Sequence, residues 1–146
     1  MKYCHQSMIL DSEAPGAQAV LGLALVERQA FDDAHEHLQR ATRQFEGDVA
    51  LLAAHGYVYA RWHKRACAAK IADKLESPAT PRYASPYLIA RIRAALGDHQ
   101  EAIQALQRAA EHRSPMLGWL GADPAFDGMR REAVFAKLLA DRGLAR

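Results

Sequence analysis

Disulfide bridges, long apolar runs and a marked excess of one charge are all missing from this sequence. The 146 residues include only two cysteines, Cys4 and Cys67, which excludes a disulfide-stapled scaffold. The longest stretch without a charged residue covers 14–26, contains Pro15, and is too short to cross a bilayer as a helix. The formal net charge of +2 is too small to indicate nucleic acid or an anionic membrane as a partner.

The composition that remains is that of a folded globular domain. Half of the residues are apolar and a quarter are charged, which argues against disorder. A chain of this length normally forms one domain. Asp11 and Glu13 interrupt the beginning of the chain, so no signal peptide is predicted. Two thiols fit a reducing compartment and also fit secretion. We therefore expect a cytoplasmic protein without a membrane or nucleic-acid partner.

A period of 34 residues organises the chain. Six series of positions separated by 34 hold apolar residues throughout, and the small residues recur at one phase. The series are Val20/Ala54/Leu88, Gly22/Gly56/Ala90, Ala24/Val58/Ile92, Ala34/Ala68/Ala102, Leu38/Ala72/Leu106 and Ala41/Leu75/Ala109. One such series can arise by chance in an alanine-rich chain, but six in one register make chance improbable. Self-similarity at a fixed period indicates a repeat architecture.

Each unit of this period contains two predicted helices. Apolar residues recur at three- and four-residue spacing, which is the helical period, in six segments. These segments are Ala17–Arg28, Asp32–Phe45, Val49–Arg61, Arg65–Leu75, Ser85–Leu96 and His99–Ala110. No alternating β-rich run competes with them. The sequence therefore predicts an all-α fold built from three helix pairs.

Turn residues mark the helix boundaries. Gly97 follows a predicted helix end, where a left-handed residue is needed. Asp98, with Glu101 three residues later, predicts a capping box at the start of the next helix. Two prolines in the segment 77–83 stop the preceding helix, but the period of 34 continues across them. We interpret that segment as a stiff turn inside one domain.

A helix–turn–helix unit of 34 residues with this phase resembles the tetratricopeptide repeat (TPR). The matching residues are Leu21, Gly22, Phe31, Ala34, Leu38 and Ala41 in the first unit, Gly56, Tyr59 and Ala68 in the second, and Gly97, Ala102, Leu106 and Ala109 in the third. The resemblance implies a superhelical array of antiparallel helix pairs. Small residues would let the two helices of a unit approach, while Leu38 and Leu106 fill the space between units. The sequence departs from the pattern at His55, Arg65 and Glu46.

The resemblance divides the single domain into five parts. Residues 1–13 correspond to the second helix of an incomplete unit, residues 14–47, 48–81 and 82–113 to three units, and residues 114–146 to a C-terminal cap with a capping helix. That tail is similar to the one that closes TPR arrays in bacterial winged-helix regulators, adenylate cyclases and protein kinases. The similarity implies that the chain is the regulatory or assembly segment of a larger bacterial protein.

The sequence offers little for catalysis or metal binding. It has no G-x-S-x-G elbow, phosphate-binding loop or dinucleotide motif, and no two of its seven histidines have the four-residue spacing of a helical chelating pair. His35 and His37 point to opposite sides of their helix, and Cys67 is expected to be a small core or rim residue. We therefore expect no enzymatic activity, no metal and no cofactor.

In TPR arrays the first helix of each unit lines a concave groove, and the resemblance assigns seven residues to that surface here. They are Leu23, Val26, Glu27, Tyr57, Arg61, Tyr87 and Arg91. Tyrosine and arginine are typical binding anchors because each combines a large contact area with a polar end. The alternative is that Tyr57 and Tyr87 pack on the neighbouring helix. A second candidate surface is an outer basic face formed by Arg61, Lys64, Arg65, Lys70 and Lys74.

The predicted function is non-catalytic binding of a peptide or helix from a protein partner in this groove. Two alternatives stay open. A free-standing adaptor would assemble, as a homodimer for example, through an N-terminal edge that only the short helix predicted at 2–10 covers. A small-molecule sensor or enzyme would need a polar pocket that the sequence does not indicate.

Overall fold

The computed structural model describes residues 14–77 and 84–141, apart from the side chain of Trp119. In these ranges the chain is helical and contains no strand. The helices are α1 Pro15–Glu27, α2 Phe31–Gln44, α3 Val49–Arg61, α4 Arg65–Glu76, α5 Pro86–Ala95, α6 His99–Glu111 and α7 Ala133–Asp141, with 3₁₀ helices at Pro115–Trp119 and Pro124–Met129. The six helices predicted in the repeat units are confirmed. The helix predicted at 2–10 and the turn at 78–83 lie outside the described residues.

The turns inside the three helix pairs repeat with the period of 34. Gln29, His63 and Gly97 each follow a first helix, and their φ angles are +59°, +62° and +84°. In every case the next backbone N–H donates to the carbonyl five residues earlier at 2.9 Å: Ala30 to Leu25, Lys64 to Tyr59 and Asp98 to Arg93. This is the Schellman arrangement of a helix end. The left-handed residue predicted at Gly97 is confirmed, and two non-glycine residues adopt the same conformation.

Helix starts are capped less regularly. The Asp48 carboxylate accepts a backbone hydrogen bond from the first turn of α3 at 3.0 Å, as an N-cap does. The capping box predicted from Asp98 and Glu101 is wrong, because the Asp98 side chain makes no capping hydrogen bond. Its carboxylate lies 3.6 Å from Arg65 Nη2 and 3.7 Å from Arg93 Nη1 instead. Two guanidinium groups therefore compete with the helix end for this carboxylate.

Small residues lie where helices approach closely. A Cβ atom on Gly22 would lie 2.7 Å from the Leu38 side chain, and one on Gly56 would lie 2.8 Å from Ile92 and 2.9 Å from Ile71. Such distances are shorter than a normal carbon–carbon contact, so neither glycine can be enlarged without movement of its neighbours. The alanines of the second small-residue series are fully buried: Ala34, Ala68 and Ala102.

Helix α3 lies at the centre of the fold. It packs against α1, α2, α4 and α5, and its side chains are buried over almost its whole circumference. His55 interrupts this apolar surface at the position that Leu21 and Ile89 occupy in the neighbouring units. No helix within residues 14–77 or 84–141 is long and apolar enough to cross a membrane.

The C-terminal residues fold back on the third helix pair. The Phe126 ring meets the Tyr87 ring of α5 edge-on at a centroid distance of 5.6 Å and stacks on Phe135 of α7 at 5.8 Å. Leu117 and Leu120 are buried beside them. The described part of the tail therefore packs on α5, and it contains two 3₁₀ helices before α7.

Candidate functional site

The residues assigned to the groove lie on α1, α3 and α5, but only some of them reach the surface. Leu23, Glu27, Arg61 and Arg91 are exposed or half-buried, whereas three others are buried: Val26, Tyr57 and Tyr87. A buried side chain offers no area to a partner. Burial of Tyr57 and Tyr87 favours the alternative stated for them, packing on neighbouring helices, and Val26 is part of the core as well.

Polar contacts connect the groove residues of successive units. Arg61 Nη1 lies 3.2 Å from Glu27 Oε1, which is one period earlier in the chain, and donates to Tyr57 Oη at 2.8 Å. The Arg91 guanidinium lies over the same Tyr57 ring, 4.6 Å from its centroid. Cation–π contact at this distance is favourable. Tyr57 thus supports an arginine of its own unit and an arginine of the next.

Asp123, from the C-terminal segment, completes this network. Tyr87 Oη donates to Asp123 Oδ2 at 2.7 Å, and Arg91 Nε lies 3.1 Å from the same oxygen. Asp123 Oδ1 accepts from the backbone N–H of Ala125 at 3.0 Å, and Arg130 Nη2 donates to the Asp123 carbonyl oxygen at 2.7 Å. The carboxylate is only 9% exposed, so these partners offset the cost of burying its charge.

The environment raises the pKa of both buried tyrosines. Burial and the hydrogen bond to Asp123 raise the pKa of the Tyr87 phenol far above its ordinary value. Burial also raises the pKa of Tyr57, although the hydrogen bond from Arg61 acts in the opposite direction. For Arg61, burial lowers the pKa, but the contacts with Tyr57 and Glu27 outweigh it and the net shift is upward. The network therefore keeps both phenols protonated and Arg61 charged at neutral pH.

A cleft of about 380 Å³ opens beside Arg91. Its walls come from α1, from α5 and from the folded-back tail: Leu23, Arg91, Met116, Gly118, Ala122 and Asp123. Leu23 and Arg91 are two periods apart in one series, and Tyr57 is the middle member of that series. The lining is mostly apolar with one ion pair, which is typical of a site that takes an apolar group and fixes it with few polar contacts.

The tail residues of the cleft were missed by sequence reasoning, which placed the tail only as a lid. The local signal was the Asp123-Pro124 pair, since aspartate followed by proline is typical of a helix start. That signal predicts the 3₁₀ helix at Pro124–Met129, and it does not predict that the carboxylate reaches Tyr87 and Arg91.

The basic stretch does not form one uniform outer face. Arg61 donates to Tyr57 Oη, Arg65 donates to the Leu96 carbonyl oxygen and pairs with Asp98, and Lys64 Nζ lies 4.4 Å above the Trp62 ring. Lys70 and Lys74 are exposed on α4. Cys67 is also exposed on α4, so its prediction as a small core or rim residue is wrong.

Two histidines from different helices are in direct contact. His35 Nδ1 of α2 lies 2.8 Å from His55 Nε2 of α3, whereas His37 turns to the Gln18 carbonyl oxygen of α1 at 3.2 Å. Burial, together with the neighbouring His35, lowers the pKa of His55 to about 4. Sequence reasoning compared histidines within one helix and missed this pair. The available signal was a histidine at the phase where the other units have Leu21 and Ile89.

Among the described residues, no three histidine, cysteine, aspartate or glutamate side chains are arranged to hold a metal ion. No family model, curated protein or solved structure matches the chain.

Proposed function

We propose that this chain is a TPR-type helical repeat protein that binds a peptide or helix of a partner protein, without catalysis, in its concave groove. The observation that carries the proposal is the cleft beside Arg91. Leu23 and Arg91 line it from equivalent positions in the first and third units, and Tyr57 of the second unit supports Arg91 from below. A repeat that places equivalent residues along one surface creates an extended binding site.

The cleft has the properties of a pre-formed seat for one apolar side chain of the partner. Leu23 and Met116 provide apolar walls, and both side chains are half-buried. Arg91 is held by Asp123 and by the Tyr57 ring, so it is already ordered and can donate to a backbone carbonyl of the partner. A pre-ordered site lowers the entropic cost of binding.

The likeness of the tail to those of bacterial regulators supports a regulatory or assembly role within a larger protein. One observation favours the adaptor alternative. Val20 of α1 is 56% exposed, and in the adaptor alternative it would contribute to an apolar contact between two copies of the chain. Sedimentation of the chain and of Val20→Glu decides between the two: a dimer that the substitution dissociates supports the adaptor, and a monomer supports the groove.

The groove proposal is tested by peptide selection followed by measured affinities. Peptides from a displayed library would be selected on the immobilised chain, and the best one titrated against Leu23→Glu and Met116→Glu. Each substitution places a charge in the cleft, so we expect a loss of about tenfold or more, while circular dichroism stays unchanged. Lys70→Glu, on the exposed side of α4, introduces the same residue and is expected to change the affinity less than threefold.

The opposite pattern contradicts the proposal. If Lys70→Glu abolishes binding while the two cleft variants retain it, the outer surface of α4 is the binding face.

A further inference from the structure

The contact between His35 and His55 sets a chemical condition on both rings. A neutral imidazole has one N–H and one bare nitrogen, and the doubly protonated ring has two N–H groups. At a separation of 2.8 Å, His35 Nδ1 and His55 Nε2 form a hydrogen bond only if one nitrogen carries a proton and the other does not. A single added proton can leave one of the two facing nitrogens bare, but when both rings are doubly protonated two N–H groups face each other and the bond is lost.

The surroundings of the pair are aromatic. The His55 ring is stacked on Tyr59 at a centroid distance of 4.7 Å, and the His35 ring lies 5.5 Å from Tyr59 and 5.9 Å from Trp62. His55 is 8% exposed. In such a setting a protonated ring would lose water without gaining a counter-ion.

In the part of the chain that the structure describes, no charged group on the neighbouring helices is placed to stabilise a protonated ring of this pair. In residues 14–77 and 84–141 neither ring forms an ion pair with a carboxylate. On α2 itself, Asp32 lies one turn before His35 and is exposed. Several charged or titratable groups of the adjoining helices pair elsewhere: Glu27 with Arg61, Arg91 and Tyr87 with Asp123, and Arg93 with Asp73 and Glu76. The side chains of Asp33, Glu36, Arg40 and Arg43 on α2 and of Lys70 on α4 are exposed. Cys67 of α4 acts electrostatically on Tyr59, and Lys64 lies on Trp62.

We propose that the His35–His55 pair is a pH-sensitive contact between the first and second helix pairs, and that acidification destabilises the packing of α2 on α3 because only a state in which the two rings are separated accepts a full set of protons. The contact lies on the central helix, so its loss affects the element on which the other helices pack. The lowered pKa of His55, about 4, means that the folded protein resists this proton while the unfolded chain takes it up near pH 6.5. The inference does not depend on the proposed peptide binding.

The test compares urea unfolding at pH 7.5 and pH 5.0 for three chains. His55→Leu removes the titrating ring and installs the apolar residue type found at the equivalent positions Leu21 and Ile89. Between these pH values, we expect the folding equilibrium constant of the natural chain to fall about tenfold or more relative to that of His55→Leu. His63→Asn is the matched control, since His63 is exposed and its φ of +62° suits asparagine. It should keep the full pH dependence. If His55→Leu keeps it as well, the proposal is overturned.

Two measurements on the natural chain test the contact itself. Long-range ¹⁵N–¹H correlation spectra at pH 7 should show both rings neutral, with one of the two facing nitrogens protonated and the other bare. Two rings that titrate independently near pH 6.5 would overturn the proposal. Amide exchange, corrected for the intrinsic effect of pH, should accelerate at pH 5 in α2 and α3 more than in α6. Uniform acceleration in all helices would show that the pair is not a local contact and would also overturn it.

Discussion

At the scale of single residues, the close approach of helices depends on two glycines. Gly22→Ala brings a Cβ to 2.7 Å from Leu38, and Gly56→Ala brings one to within 3 Å of Ile71 and Ile92. We expect each to lower the free energy of unfolding by about 1–3 kcal/mol in urea titrations, because these buried side chains have little room to move. Gly16→Ala is the control. Nothing lies within 4 Å of its added carbon, and alanine favours the helix, so that variant should gain up to about 1 kcal/mol.

The two buried tyrosines allow a matched comparison of their hydroxyl groups. Tyr87→Phe removes a donor from Asp123 and leaves a buried carboxylate short of one hydrogen bond, which typically costs about 1–3 kcal/mol. Tyr57→Phe removes a contact of Arg61, but this half-exposed guanidinium keeps Glu27 and water as partners. We expect a loss below about 1 kcal/mol for it. Thermal or urea unfolding of both variants measures the difference, and equal losses would contradict the assigned role of Asp123.

At the scale of elements, the three equivalent turns differ in how well their residues suit them. Gly97 tolerates a positive φ without a steric cost, whereas Gln29 and His63 hold the same conformation with a Cβ. Gln29→Gly and His63→Gly should each raise the free energy of unfolding by up to about 1 kcal/mol, since the greater freedom of glycine in the unfolded chain offsets part of the gain. Gly97→Ala should lower it by about 1 kcal/mol. If all three substitutions shift stability in the same direction, the turns are not equivalent.

Helix positions could be predicted from the sequence because the apolar period and the 34-residue register agree at every unit. The turns at Gln29 and His63 could not, since neither residue favours a positive φ and only the repeat places them there. The capping box at Asp98 failed for a tertiary reason, as Arg65 and Arg93 approach its carboxylate from two other elements. A local sequence pattern predicts local structure, but the prediction fails where a residue distant in the sequence contacts the same group.

In the candidate site, too, the residues placed by the repeat could be predicted, and the residues placed by long-range packing could not. Leu23 and Arg91 could be placed on one surface because they belong to one series of the repeat. Met116 and Asp123 could not, because the fold-back of the tail is a contact between segments far apart in the chain. The partial exposure of Arg61 and the burial of Tyr57 also follow from packing, because four neighbouring helices enclose most of α3 and Arg61 lies at its C-terminal end.

At the scale of the whole molecule, the tail belongs to the site as well as to the core. The Asp123 carboxylate holds Arg91 and Tyr87, while the Phe126 ring packs on Tyr87 of α5 and on Phe135 of α7. The same segment supplies Met116 to the wall of the cleft. The shape of the cleft and the stability of the third helix pair are therefore linked, and a change to the tail affects both.

Removal of residues 114–146 tests this link. The truncated chain loses the buried rings of Phe126 and Phe135. A single Phe→Ala substitution in a core typically lowers the free energy of unfolding by about 3–5 kcal/mol, so we expect a large fall in the thermal midpoint. In a repeat array each unit contacts mainly its neighbours. Loss of amide protection should therefore be greatest in α5 and α6 and smallest in α1 and α2. Phe135→Ala, which keeps the chain length, should give the same gradient in weaker form. Equal loss of protection in all helices would show that the fold unfolds as one unit, and that the tail does not act through the third helix pair.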